Sequence, residues 1–451
     1  MKTVDIVERI EGEAKLVCSW KENKISDARI EFLNFRGFEY ILQNKPILDS
    51  LVYTPRICGI CGQAHLKATV EALENIYENV NEALVITNKA KLLREIGLNI
   101  EIIDSHIKWF YMFIMPDIAK LSNDIKYNKY EPLKGSLWLN ASRVASETIK
   151  AIAIIGGQWP HTSYMIPGGV MSDPTLFDLT SMQNYLEQAI IFFENTLGGI
   201  DFEEYLAFGD MEDFLKTNGS LIDFKNIAFK NNLEKIGKAY DSHIVLGSSS
   251  LFESGKIKIK NISKIDSSKI SESSINTFKV NISKKENEYS WSKTALYANE
   301  FYETGPLSRA LISNRKFIKT IHKEYQDSVF TRVLARMDEL AHLLYTTKKL
   351  ISKVDTSEPS FIKPKYSLND IETAIGSSFI EASRGSLSHK VEVSKGLIKT
   401  YDVITPTVWN LGPGIKDKYG VAQKAIVGLD SILKAEIVLR SFDICSVCTT
   451  H

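Results

Sequence analysis

The chain has 451 residues, 44% hydrophobic and 24% charged, with 55 Lys+Arg against 55 Asp+Glu and a formal net charge of zero. The composition is globular and the length ample for a large core, and the even charge balance excludes the basic footprint of a nucleic-acid binder. The densest apolar runs, AIAIIGG at 151–157 and AIIFF at 189–193, are far too short to span a bilayer. MKTVDIVERIEGEAK alternates charged with apolar residues and lacks the apolar core of a signal peptide. The expected location is cytoplasmic, with membrane association through a partner, or export beside a signal-bearing partner, as the alternatives.

Residues 1–35 alternate with period 2 in VDIVERI, AKLVCSW and ISDARIEF, which predicts strands. A long helical pattern follows over roughly 63–121, and helical patterns recur at about 141–155, 180–198, 307–351 and 422–440. Between about 241 and 300 the chain turns rich in Ser and Lys, and KIKIKNI keeps period 2, so a small β-rich excursion is expected there. The fold class is mainly α with β-rich segments (α+β), read as one unit over 1–451.

Of five cysteines, Cys18 lies in an alternating strand pattern and is expected to be a buried core residue. The other four form two C-x-x-C pairs, Cys58/Cys61 and Cys445/Cys448. In a large chain without a secretion signal such pairs suit metal or redox work better than structural disulfides. A four-thiolate zinc site, a redox-active dithiol and another thiolate-bound metal all fit the pairs alone. Their wide separation in sequence, the histidine after each pair (His65, His451), and Arg56 and Asp443 just before them favour a reactive metal with a charged surrounding shell.

R-x-C-G-x-C-x-x-x-H and D-x-C-x-x-C-x-x-H resemble the two signature motifs of the large, catalytic subunit of nickel–iron hydrogenases. RIEG (9–12), RGFE (36–39), GGQWPHTSYMIPGGV (156–170), YETGPLSRA (302–310), EASRGSLSH (381–389) and TPTVWNLGPG (405–414) resemble further family blocks in the expected order. The resemblance implies the family's large-subunit fold and oxidation of H2. Cys58 and Cys445 are implied as terminal nickel ligands, and Cys61 and Cys448 as bridges to an iron that carries CO and cyanide. Arg384 corresponds to an arginine over the metals, Pro406 and Thr407 to cyanide contacts, and Asp443 to the charged residue preceding the second pair. His65 is implied as a donor to a bridging sulfur. Glu39, the Val403 backbone carbonyl and His451 match ligands of a magnesium ion, a hard cation suited to oxygen donors.

H2 is a very weak acid, so splitting it needs a metal and a nearby base. The base is either the Cys445 thiolate or Arg384, and Glu11 matches the family's proton relay. With only Cys18 unassigned, no iron–sulfur set is left in the chain. The resemblance therefore implies an iron–sulfur small subunit in an obligate heterodimer, together with maturation proteins that install the metals. It also implies that a sequence stopping at His451 is a processed chain or one made without a C-terminal extension.

Several positions depart from the common family pattern: Glu13 after RIEG, Ser105 before His106, Ser383 before Arg384, and Ile444 before Cys445. Ile60 and Phe113 are bulkier than usual along the gas channel, a feature that resembles the cytoplasmic uptake and hydrogen-sensing branch with its oxygen tolerance. Two functions are thus expected as alternatives, an uptake enzyme and a slow H2 sensor that signals to a kinase.

Overall fold

The computed structural model describes residues 2–80, 84–258 and 261–449. The N-terminal strands Lys2–Ile6, Lys15–Lys21 and Lys24–Glu31 form an antiparallel sheet in chain order. Cys18 is fully buried between Thr3 and Ala28 on the neighbouring strands, as its alternation requires.

The helical stretch expected over 63–121 is not continuous. It comprises Gly62–Asn79, Asn88–Lys108, a π-helical turn Trp109–Ile114, and Met115–Lys120. Thr87 starts the second helix, its hydroxyl accepting the Ala90 N–H at 3.1 Å, a capping bond that satisfies one of the orphan donors of a helix N-terminus. The pattern over 307–351 likewise resolves into Pro306–Ile312, Lys316–Tyr325 and Val329–Ile351. Asn314 and Gln326, at φ 61° and 56°, end the first two by turning left-handed. Val421–Ile426 and Ile432–Ser441 replace the single helix expected at 422–440, with Gly428 at φ 96° between them.

The Val329–Ile351 helix is buried over most of its circumference and packs against Asn88–Lys108. These two rods form the centre of a contiguous apolar core that extends from Val7 to Ile444. Each fully buried Leu, Ile or Phe in it contributes about 1.5–3 kcal/mol.

The β excursion is present, as Ser242–Val245, Gly255–Lys258 and Asn261–Ser263 in one sheet and Ile270–Ser273 paired with Thr294–Tyr297 in another. Part of KIKIKNI, residues 259–260, lies outside the described residues. A third region of sheet was not anticipated. Thr373–Ala382, Gly385–Ser394 and Leu397–Ile404 form an antiparallel meander. From Ile380 to Lys390 nearly every residue is buried, so the alternation that would mark a half-exposed strand is missing. This sheet lies on the Gly62–Asn79 helix so closely that a Cβ on Gly376 would fall 2.0 Å from the Ala72 carbonyl oxygen. Among the described residues no helix is long and apolar enough to cross a membrane.

Candidate metal centre

The fold brings the two cysteine pairs together. Cys61 sits at the N-cap of the Gly62–Asn79 helix. At the other end of the chain, the Ile432–Ser441 helix stops and Asp443 takes φ 62°, a left-handed turn that Asp tolerates. Ile444 and Cys445 then run alongside Glu11: the Glu11 N–H donates to the Ile444 carbonyl at 3.3 Å, and the Ser446 N–H to the Glu11 carbonyl at 2.8 Å. This approach requires Gly12, which has φ 84° and where a Cβ would meet Ser446 Oγ at 2.1 Å. Family blocks far apart in sequence thus become one strand-like seam.

All four sulfurs lie within 4.8 Å of one another. Cys58 and Cys445 Sγ are 3.7 Å apart, Cys61 and Cys448 3.3 Å, and Cys445 and Cys448 3.0 Å. They are buried and none is in a disulfide. Burial pushes every one of these thiols up, but hydrogen bonds from neighbouring thiols and the Arg384 charge carry Cys445 well below its ordinary value. Cys58 is also lowered, whereas Cys61 and Cys448 are raised by burial and by their sulfur neighbours. Without a cation among them, the four cannot share one protonation state. A soft, thiolate-binding metal fits that donor set.

Arg384 stands in the turn between two strands of the late sheet and is almost fully buried. Its Nη2 lies 3.1 Å from Asp443 Oδ1, but the geometry is ionic rather than hydrogen-bonding, and Nε and Nη2 have no hydrogen-bond acceptor among the described residues. Its Nη1 donates to Ser383 Oγ at 3.4 Å, an acceptor that a proline in that place would not offer. Arg384, Pro406, Thr407, His65, Cys61 and Cys448 line one small cavity. The Thr407 and Thr405 hydroxyls are buried without partners among the described residues. Unpaired buried donors are costly, and small acceptor ligands on a metal would satisfy them.

His65 Nε2 lies 3.9 Å from Cys448 Sγ, and its Nδ1 lies 3.0 Å from His389 Nε2. His389 Nδ1 is 2.9 Å from the Tyr401 hydroxyl. A consistent set of tautomers runs Tyr401 O–H to His389, His389 N–H to His65, and His65 N–H to the sulfur. Glu11 is half-buried; burial first, then the negative charge of Cys58, raises its carboxyl. Glu39 Oε1 accepts the Val403 N–H at 3.0 Å, while Oε2 is 3.1 Å from Lys293 Nζ, which also pairs with Glu272. His451 lies outside the described residues.

The sequence reading did not find the ionic network behind Asp443. Asp443 Oδ2 accepts from Arg336 Nη1 at 3.1 Å, and Arg336 Nη1 also lies 3.1 Å from His106 Nδ1. His106 Nε2 is 2.8 Å from Glu339, which Arg309 grips at 2.8 and 2.6 Å while reaching Glu381 at 2.9 Å. The available signal was RVLARMDEL, where Arg332, Arg336, Asp338 and Glu339 put four charges into one short stretch of a largely apolar helix. Ser105, at the departed position, is buried next to this network.

With this geometry in place, comparison with known proteins is decisive. Residues 36–136 and 133–451 match the family model described as nickel-dependent hydrogenase. The chain belongs to that family. It is 24% identical over 516 residues to the large subunit of the periplasmic [NiFeSe] hydrogenase of Desulfomicrobium baculatum, covering 100% of this chain and 94% of that one. It is 25% identical over 462 residues to sulfhydrogenase 1 subunit alpha of Pyrococcus furiosus, covering 100% and 97%. The solved Ni-Fe-Se hydrogenase of D. vulgaris Hildenborough shares the fold, with a TM-score of 0.83 at 22% identity and full coverage of both chains. This chain has cysteine at all four positions of its two C-x-x-C pairs.

Proposed function

We propose that this chain is the catalytic large subunit of a nickel–iron hydrogenase that oxidises H2, folded as one unit over 1–451. The observation that carries this is the convergence of four buried thiols, from pairs 387 residues apart in sequence, with Arg384 lining the same cavity as Cys61 and Cys448. The four thiols would hold the nickel–iron pair, Cys58 and Cys445 as ligands of nickel alone and Cys61 and Cys448 as ligands of both metals, and Arg384, Pro406 and Thr407 would contact the CO and cyanide that the iron carries. When bound, the metal pair polarises H2 so that it splits heterolytically.

The chain's own residues handle the proton. Cys445, the thiol most depressed by its surroundings, takes it with Arg384 adjacent, and Glu11 relays it outward. The Glu11 backbone is pinned to Ile444 and Ser446, and its carboxyl, raised first by burial, accepts a proton more readily than an exposed carboxylate would. Asp443 positions Arg384, and His65 donates to the Cys448 sulfur. Glu39, the Val403 carbonyl and His451 are assigned to magnesium, with Lys293 giving up its hold on Glu39 when the ion binds.

Electrons leave through an iron–sulfur small subunit, a partner class consistent with relatives named as large subunits. Maturation proteins supply the metals. Ile60 packs directly against the four cysteines, which favours placing the chain in the oxygen-tolerant uptake branch, cytoplasmic, with H2 sensing as the second reading. Turnover rate separates the two, and fractionation of the tagged complex tests the location.

The primary test is metal analysis with infrared spectroscopy of the purified complex. Equal nickel and iron, with CO and cyanide bands that shift under H2, are expected. Zinc alone, without such bands in matured protein, refutes the proposal.

A further inference from the structure

A second convergence of ligand-type side chains lies outside the four-cysteine site. Asp241 immediately precedes the strand Ser242–Val245, which carries His243, and His322 sits near the end of the Lys316–Tyr325 helix. Asp241 Oδ1 lies 3.3 Å from His243 Nε2 and 2.7 Å from His322 Nε2. The three donor atoms lie within 4.8 Å of one another. Asp241 holds φ 48° to reach this position.

The hydrogen bonds behind His243 fix which of its nitrogens carries the lone pair. Ser308 Oγ donates to the Glu303 carbonyl at 2.8 Å. Its free lone pairs therefore accept the Nδ1–H of His243, 3.1 Å away. In the neutral imidazole, Nε2 is then the unprotonated nitrogen, and it faces a carboxylate oxygen across 3.3 Å. His243 is completely buried, so this contact holds a cation, either the proton that makes His243 an imidazolium or a metal ion that takes the proton's place. Glu303 and Asp327, the nearby acids, are both engaged by Arg332, which leaves Asp241 as the anionic ligand.

The spacing suits a metal ion. A tetrahedral ion with bonds of about 2.0–2.1 Å holds its ligand atoms about 3.3 Å apart, which is the separation of Asp241 and His243. The His322 contact must open by about 0.6 Å to reach that spacing, a small move for a side chain that is partly exposed. The Nδ1 contact with Ser308 is the outer hydrogen bond that orients a ligating histidine.

We infer that Asp241, His243 and His322 bind one divalent transition-metal ion of the zinc class, separate from the catalytic metals. Two imidazoles and a carboxylate select borderline ions over magnesium or calcium, and the exposed side of Asp241 leaves a position for water. The ion clips the strand to the end of the helix, and through Ser308 to the Pro306–Ile312 helix.

The test uses the matured, purified complex, stripped with EDTA and titrated with Zn²⁺. One tightly held zinc per complex is expected, with nitrogen and oxygen neighbours at about 2.0–2.1 Å in X-ray absorption. His322→Gln and Asp241→Asn, both at the accessible side, should each weaken zinc binding about tenfold or more, with nickel, iron and H2 oxidation unchanged. Absence of zinc uptake by the wild-type complex overturns the inference, as does equal uptake by the two variants. Sulfur neighbours at about 2.3 Å also overturn it, because they place the zinc on cysteines.

Discussion

Asp443→Asn removes one charge and almost no volume, and the network predicts a large effect. Asp443 lies 3.1 Å from Arg336 on one side and 3.1 Å from Arg384 on the other, and all three are buried. At an effective dielectric of 20, each such pair gains about 5 kcal/mol gross. Much of that offsets desolvation and the repulsion between the two guanidinium groups. Burial, together with the Arg384 and Arg309 charges, already pulls Arg336 down to about 10 against the pull of Asp443 and Glu339. Stranding a buried charge costs about 3–5 kcal/mol. Unfolding entropy of about 2.1 cal/mol/K per residue makes that a drop of about 3–5 °C in Tm for a chain of this length. Differential scanning fluorimetry of the metal-loaded complex measures it. The double variant Asp443→Asn with Arg336→Met should recover at least half the loss, because one stranded charge goes with the arginine. A Tm within about 1 °C of wild type for Asp443→Asn, or additive losses in the double variant, would refute the reasoning.

Glu11→Gln should lower H2 oxidation about 10²–10⁴-fold, whereas interconversion of para- and ortho-hydrogen, which needs splitting but no proton exit, persists; parallel loss of both would show that Glu11 is not a relay. Gly12→Ala strains a backbone at φ 84° and drives a Cβ into Ser446, so nickel occupancy by elemental analysis should fall, and full occupancy would contradict the seam. Glu101, which accepts the Gln63 and Ala64 N–H groups at 2.8 and 3.1 Å, is pushed up to about 8, mainly by burial. Because its folded value lies above its unfolded one, it favours the folded state most below about pH 4.5 and loses that contribution progressively up to about pH 8, by about 1.4 kcal/mol per pH unit. Glu101→Gln should therefore raise Tm relative to wild type more at pH 8 than at pH 5, and parallel Tm–pH curves would count against a protonated Glu101.

What the sequence made legible follows from how local each signal is. The cysteine pairs, RIEG and the Arg384 block are short strings with fixed internal spacing, so they could be singled out before any geometry. The N-terminal strands were readable because one face is exposed. The late sheet was not, since Gly385–His389 is buried throughout and presents no alternation. Helix breaks at Asn314, Gln326 and Gly428 depend on single left-handed residues, which a periodicity search passes over. Arg309, Arg336, Glu339 and Glu381 were hidden for another reason: their partners lie up to 233 residues away, and no local pattern says which buried charge meets which.

That hidden network explains how a positive charge is kept beside the thiolates. Glu381, Arg309, Glu339, Arg336, Asp443 and Arg384 alternate in sign along the path of contacts, three acids against three arginines. His106, between Glu339 and Arg336, is driven down to about 3, first by burial, and stays neutral. The far end closes on Glu381, which accepts from Leu246 N–H and the Ser386 hydroxyl. At the near end no further carboxylate is hydrogen-bonded to Arg384 among the described residues, and Asp443 is shared with Arg336. Arg384 is therefore only half compensated from behind, and its field points forward, where it pulls Cys445 down. Any change that gives Arg384 a second carboxylate would weaken that pull, so Ser383→Asp should raise the Cys445 thiol and slow nickel incorporation, a shift measurable as the pH midpoint of thiol alkylation in the metal-free chain.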